Sequence, residues 1–155
     1  MIDPSGMIAT AYKILTGKPT ESDLRRATAT AYYALFHHLC GCFSTIVLHP
    51  AGREFARARL QAYRYIDHGP ARSKCLEAKS PLRKFPPGIL KFADTFIELQ
   101  QRRNEADYDP TVLFDEAFVR NYVGDAERAI AAFNSESIEA QRAFAIFVAL
   151  KSKTR

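Results

Sequence analysis

The placement of proline constrains this chain more than any other feature. Pro4, Pro19, Pro50, Pro70, Pro81, Pro86, Pro87 and Pro110 fall between stretches of periodic apolar residues, and none interrupts one. Inside a helix, proline removes a backbone donor and clashes with the preceding turn, at a cost of about 3 kcal/mol. Prolines spaced this way therefore mark helix ends. Between them the apolar residues recur at steps of three and four, and no segment alternates as a strand does. The expected fold is all-α: an antiparallel up-and-down bundle of four to five long helices with short connections. The 155 residues fit a single domain, with a core at about 20–150 and peripheral segments at 1–19 and 151–155.

The first long helix is expected to start at Thr20, where Thr20-Glu21-Ser22-Asp23 resembles a capping box. Its seam runs Leu24, Thr28, Ala31, Leu35, Leu39, Cys42 and is widened by Tyr32, Phe36 and Phe43. So broad an apolar girth places it at the bundle centre or at a dimer seam. A second helix is expected over 51–67 with Phe55, Leu60, Tyr63 and Ile66 inward and a basic outer side of Arg53, Arg57, Arg59 and Arg64. A short helix follows Pro70, and 79–88 reads as a loop. The third long helix starts near Pro86 with Ile89, Phe92, Ala93, Phe96 and Leu99 inward, and ends between Arg103 and Asp107. Asp109-Pro110 reads as an N-cap and first helical residue, opening a fourth helix through Leu113, Ala117, Ala126, Ile130 and Phe133. Asn134-Ser135-Glu136 is expected to cap a last helix carrying Ile138, Phe144, Ile146, Phe147 and Val148.

The net charge of +5 is uneven. Residues 1–104 carry 16 Lys/Arg against 8 Asp/Glu, 105–139 carry 2 against 9, and the tail carries 4 against none. A basic front suits an anionic partner such as RNA or a nucleotide, or it pairs with the acidic segment. Three cysteines, Cys40, Cys42 and Cys75, make no disulfide framework, and the first 15 residues lack a secretory pattern. The chain is expected to be cytoplasmic, with no membrane association. The cluster His37-His38-Leu39-Cys40-Gly41-Cys42 lacks four convergent ligands of zinc-site spacing, and no Glu-x-x-His pair or Gly-rich phosphate loop is present. No metal and no cofactor are expected.

Chemistry concentrates at Gln101-Arg102-Arg103-Asn104-Glu105-Ala106-Asp107-Tyr108-Asp109. Two guanidinium groups, two amides, three acids and a phenol sit on one helix end. They form either a capped turn, with Arg near the negative end of the helix dipole, or a site.

Taken together, Ala31-Tyr32-Tyr33-Ala34-Leu35-Phe36-His37 and, about 65 residues later, Arg103-Asn104-Glu105-Ala106-Asp107-Tyr108 resemble the HEPN superfamily (higher eukaryotes and prokaryotes nucleotide-binding). The likeness covers roughly residues 20–134 and is nearest to small stand-alone prokaryotic members. It implies a helical bundle, commonly a homodimer. Many members are metal-independent ribonucleases, and several are toxins paired with a nucleotidyltransferase antitoxin. Residue by residue, Arg103 matches the family's arginine and Asn104 its polar neighbour. The catalytic histidine position holds Tyr108.

That departure bears on chemistry. Cleaving RNA without metal requires a proton acceptor for a 2′-hydroxyl and a cation at phosphorus. Arg103 suits the second task. An unperturbed phenol with a pKa of about 10 suits the first poorly, so a histidine at position 108 is expected to raise cleavage at least about tenfold. The candidate catalytic set is Arg103, Asn104 and Tyr108. The candidate RNA- or nucleotide-binding set is Arg53, Arg57, Arg59, Arg64, Arg102 and Asp107. Two functional readings remain. One is an RNA- or nucleotide-binding, toxin-like protein with weak or no ribonuclease activity. The other is a catalytically inert helical dimer that serves as an interaction module, for example for a nucleotidyltransferase.

Overall fold

The computed structural model describes residues 1–48 and 52–151. Among them are seven α-helices, two single-turn 3-10 segments and no strand, so the chain is all-α. The α-helices are α1 (Pro4–Ile14), α2 (Glu21–Val47), α3 (Ala56–Tyr63), α4 (His68–Ala78), α5 (Pro87–Tyr108), α6 (Glu116–Ser135) and α7 (Ile138–Ala149). None is long and apolar enough to cross a membrane. Pro50 and the expected start of the second helix at position 51 lie outside the described residues.

Helix α2 starts as its capping box dictates. The Asp23 carboxylate accepts from the Thr20 amide at 2.8 Å, and the Thr20 hydroxyl accepts from the Asp23 amide at 3.3 Å. The Thr20 amide, with the Thr20 hydroxyl that donates to the same carboxylate oxygen at 2.8 Å, holds the Asp23 carboxyl below its usual range. Helix α2 packs against α1, α3, α5, α6 and α7. Helix α5 runs against it: Arg25 near the start of α2 reaches Ala106 near the end of α5, while His38 further on meets Phe92, ring centroids 5.8 Å apart. Helix α6 runs alongside, with His38 edge-on to Phe133 at 5.1 Å.

The core between them is aromatic. Phe92 of α5, Phe133 of α6 and Phe144 of α7 are fully buried, with centroids 4.9 Å (Phe92–Phe133), 6.1 Å (Phe92–Phe144) and 6.0 Å (Phe133–Phe144) apart. Burying each ring stabilises the fold by roughly 1.5–3 kcal/mol. Gly88 lets α5 meet α6: a Cβ there would stand 2.4 Å from the Ala132 carbonyl, and the Gly88 amide donates to the Glu136 carboxylate at 2.6 Å.

Several sequence expectations need correction. The segment 1–19 is not peripheral: α1 starts on Asp3, whose carboxylate accepts from the Ser5 and Gly6 amides, and it buries Ile8, Ala11 and Leu15 in the core. The segment 79–88 contains a 3-10 turn, Pro81–Arg83, capped by Ser80. Pro70 lies in the first turn of α4, where its missing N–H has no intrahelical partner to lose. Asp109 ends α5 rather than opening the next helix, because the residue before a proline is pushed to extended backbone. Helix α6 instead starts on Asp115, whose carboxylate accepts from Ala117 and Phe118 amides. Leu113 is consequently in the link and Ala117 on the outside, both exposed, and Val119 and Val123 take the core positions. Ser137, not Asn134-Ser135-Glu136, caps α7. Phe55 and Leu60 face outward rather than inward.

Candidate functional site

The last turns of α5 bring Arg103 under the aromatic ladder of α2. Its Nη2 donates to the Tyr33 hydroxyl, its Nη1 donates to the Asn104 side-chain oxygen at 3.1 Å, and its Nε lies 2.8 Å from an Asp107 carboxylate oxygen. That Nε–H is not aimed at the carboxylate and has no hydrogen-bond partner. The guanidinium carbon stands 5.2 Å from the Tyr33 ring centre, 5.7 Å from Tyr108 and 6.0 Å from Tyr32. Burial opposes its charge, but the hydroxyl of Tyr33 together with Asp107 and Tyr108 outweighs that, and the guanidinium stays charged. Tyr108 is 73% exposed, so one face of the cluster is open to solvent.

Two imidazoles flank Tyr33. His37, one turn along α2, stacks on it with centroids 6.2 Å apart, and His68, the first residue of α4, meets it edge-on at 6.0 Å. Each ring is tied through Nδ1 to a phenol at 2.7 Å: His37 to Tyr63 and His68 to Tyr32. His68 also stacks on Phe36 at 3.7 Å, and its carbonyl accepts from the Gln100 side chain at 2.9 Å. Neither Nε2 has a hydrogen bond, and neither belongs to the buried polar atoms that lack one, so both reach solvent. Burial holds His37 below the usual histidine range. It does the same to His68, with Arg103 and His37 adding to the effect and Asp67 opposing it. Burial also drives the Tyr32 phenol well above its ordinary value and the Tyr63 phenol up to about 12. Both phenols are therefore neutral partners of their imidazoles.

The link after α5 is clamped from α2. Arg25 Nη1 donates to the carbonyls of Glu105 (3.3 Å), Ala106 (3.0 Å) and Asp109 (2.9 Å), and its Nη2 to that of Val112. Glu21 accepts from Arg25 Nε at 3.1 Å and from the Phe114 amide at 3.3 Å. Beside this clamp a surface cavity of about 520 Å³ is lined by Glu21, Arg25, Asp107, Tyr108, Asp109, Pro110 and Leu113.

No family model matches the chain, and neither a curated protein nor a solved structure matches it. What the site can do rests on its own geometry.

Of the residues singled out in the sequence, Arg103, Asn104, Asp107 and Tyr108 come together. Arg102 does not join them: it pairs with Glu105 at 3.1 Å and lies 5.7 Å from the Tyr122 ring of α6. Arg53, Arg57 and Arg64 are exposed, and Arg64 directly follows Tyr63 and so adjoins the His37 side of the cluster. Arg59 is half-buried, and its carbonyl accepts from Ser44 at 3.1 Å. Among the described residues no group of three His, Cys, Asp or Glu side chains is placed to hold a metal. Sequence reasoning missed Tyr63 and His68. The i, i+4 spacing of Tyr33 and His37 was visible, but nothing in Asp67-His68-Gly69-Pro70 signals that His68 faces Tyr32.

Proposed function

We propose that the chain is a HEPN-like helical protein that holds RNA or a nucleotide at Arg103, as the toxin-like member of a two-protein module. The observation that carries this reading is the position of the Arg103 guanidinium, at once hydrogen-bonded to Tyr33 and set between the rings of Tyr33 and Tyr108. A planar guanidinium matches a phosphate oxygen pair, and the exposed Tyr108 ring beside it accepts a nucleobase by stacking, worth about 1–3 kcal/mol per base. A bare anion has no use for the second feature. Arg57 of α3, Arg53 in the 3-10 turn before it and Arg64 just after it add exposed positive charge, Arg64 next to Tyr63, the partner of His37.

A second reading, the inert interaction module, is favoured by one feature. Tyr108, Leu113 and Phe118 are exposed at 73%, 84% and 63% around the link between α5 and α6. Exposed large apolar residues gathered at one place mark a protein contact, here with a second copy of the chain or with a nucleotidyltransferase.

Fluorescence anisotropy with a labelled single-stranded RNA, across a salt series, tests the first reading. Affinity is expected to fall steeply with salt as counterions are released. Arg103→Ala is expected to weaken binding at least about tenfold and to lower the salt slope by about one. Absence of binding at low salt, or binding indifferent to Arg103→Ala, would leave the interaction reading.

A further inference from the structure

We infer that His68 and His37 are the proton-transfer pair of this groove, His68 as base and His37 as acid, so that the site can cleave RNA with Tyr108 in the place of a histidine. The inference rests on the reading that the groove holds RNA, and it adds a reaction to it.

The argument starts from placement. A phosphodiester bound by Arg103 would lie against the Tyr33 hydroxyl, and both imidazoles contact the Tyr33 ring, with centroids 6.2 Å (His37) and 6.0 Å (His68) away. Both have Nδ1 committed to a buried phenol and Nε2 turned to solvent. A phenol on Nδ1 fixes the ring plane while its hydroxyl rotates to donate to the neutral ring or accept from the protonated one. The second nitrogen is thereby presented to a ligand at a fixed angle.

The two rings differ in what surrounds them. His68 faces Tyr32 and Phe36 of α2, Gln100 and Arg103 of α5, and Asp67 beside it. The guanidinium disfavours a second positive charge there, which keeps the ring unprotonated and so available to accept a proton. His37 faces Tyr33 and Phe36 on its own helix and Tyr63 of α3, and the bulk of its shift is burial alone. The bound phosphate's negative charge favours its protonated form.

The step balances without a cofactor. His68 Nε2 takes the proton of the 2′-hydroxyl as O2′ attacks phosphorus. The O2′–P bond forms, the P–O5′ bond breaks, and O5′ leaves with the proton from His37 Nε2. The products are a 2′,3′-cyclic phosphate and a 5′-hydroxyl. Arg103 stabilises the charge that gathers on the phosphoryl oxygens.

The test pairs cleavage with binding. Cleavage of a quenched fluorescent RNA is followed in EDTA for wild type, His37→Gln, His68→Gln and the double variant. Affinity is measured in parallel for a 2′-O-methyl oligonucleotide, which keeps the phosphates and bases but has no nucleophile. Each single variant is expected to lose at least about 100-fold in cleavage rate and to bind the oligonucleotide within about threefold of wild type. The wild-type pH profile is expected to be a bell with its optimum below pH 6.5, since both imidazoles titrate below the ordinary histidine value.

Three results overturn the inference. They are a double variant that still cleaves at the wild-type rate, an optimum above neutral pH, and a wild type that binds the oligonucleotide but cleaves no RNA. The last of these leaves the RNA-binding reading standing, whereas a wild type that does not bind the oligonucleotide removes both. Should a glutamine variant fail to fold, the wild-type imidazole resonances decide. Both rings are expected to shift on titration with uridine 3′-monophosphate, and unmoved His37 and His68 signals count against the pair.

Discussion

The guanidinium of Arg25, on the first turns of α2, donates to the Ala106 carbonyl at the end of α5 at 3.0 Å, across 81 residues of sequence. The same group takes the carbonyls of Glu105, Asp109 and Val112, so it satisfies the open C-terminal end of α5 that no glycine cap closes. The turn that presents Asp107 and Tyr108 therefore hangs from α2, the helix that also supplies Tyr33 and His37.

Replacing Arg25 with Met keeps the length of the stem and removes the donors. Hydrogen bonds from a charged group are worth about 1.5–3 kcal/mol net. Arg25→Met is expected to lower stability by about 2–3 kcal/mol, or Tm by roughly 5–10 °C for a chain of this size. Differential scanning fluorimetry reads this directly. RNA affinity is expected to fall with it. A Tm within about 2 °C of wild type would show that water replaces the clamp at little cost.

Gly88 makes a prediction of the opposite kind, where adding an atom destabilises. In the first turn of α5, Ala would ordinarily be the better helix former. Here its Cβ meets the Ala132 backbone oxygen and the Glu136 carboxylate. Backbone cannot move aside as a side chain can, so Gly88→Ala is expected to cost about 1–3 kcal/mol in urea unfolding. A neutral or stabilising result would mean that α5 and α6 part without penalty at this point.

His38 lies against Phe92 and Phe133, its Nε2 has no partner, and burial holds its pKa down at about 4. The folded value is below the unfolded one of about 6.5, so the unfolded chain binds more protons between the two. This contribution to stability is present above about pH 6.5 and is lost as pH falls through about 4. The full loss is on the order of 3 kcal/mol. His38→Phe removes the titration and the unpartnered nitrogen together. Between pH 4 and 7, its Tm is expected to fall less steeply with acid than that of wild type. Parallel Tm-against-pH curves would assign the acid sensitivity to other groups.

How much of this was legible in the sequence depended on whether the deciding interaction was local. Helix α2 was placed by four consecutive residues, Thr20 to Asp23, that cap it themselves. The inward set Ile89, Phe92, Ala93, Phe96 and Leu99 follows from period alone, and all five are buried. Asp109-Pro110 misled because an acid followed by proline reads equally as a helix start and as the stop after one. Here Arg25, far upstream, supports the stop by taking the carbonyls of Ala106 and Asp109. Helix α1 carried the same Asp-Pro signal in Asp3-Pro4, and there it does open a helix. The cluster around Arg103 divides the same way. Arg103, Asn104, Asp107 and Tyr108 are neighbours in sequence and were seen together. The pairs Tyr32–His68 and His37–Tyr63 join residues 36 and 26 apart through the packing of α3 and α4, which no local pattern encodes.

The last prediction concerns Tyr108. Read from the sequence alone, the site lacked a group that exchanges protons near pH 7, and a histidine at 108 was expected to accelerate cleavage at least about tenfold. With His37 and His68 beside Tyr33, that lack disappears, and the expected gain shrinks with it. Tyr108→His places an imidazole near the Arg103 guanidinium, whose carbon is now 5.7 Å from the phenol ring. If His37 and His68 move the protons, the variant is expected to change the wild-type rate by less than about tenfold and to keep its optimum below pH 6.5. It is expected to lose activity when His37→Gln and His68→Gln are added. A gain of tenfold or more, centred near neutral pH and surviving the double substitution, would place proton transfer at position 108 instead. Arg103→Ala separates a genuine site from a contaminating nuclease in either case, because charge stabilisation at phosphorus is required whichever imidazole takes the proton.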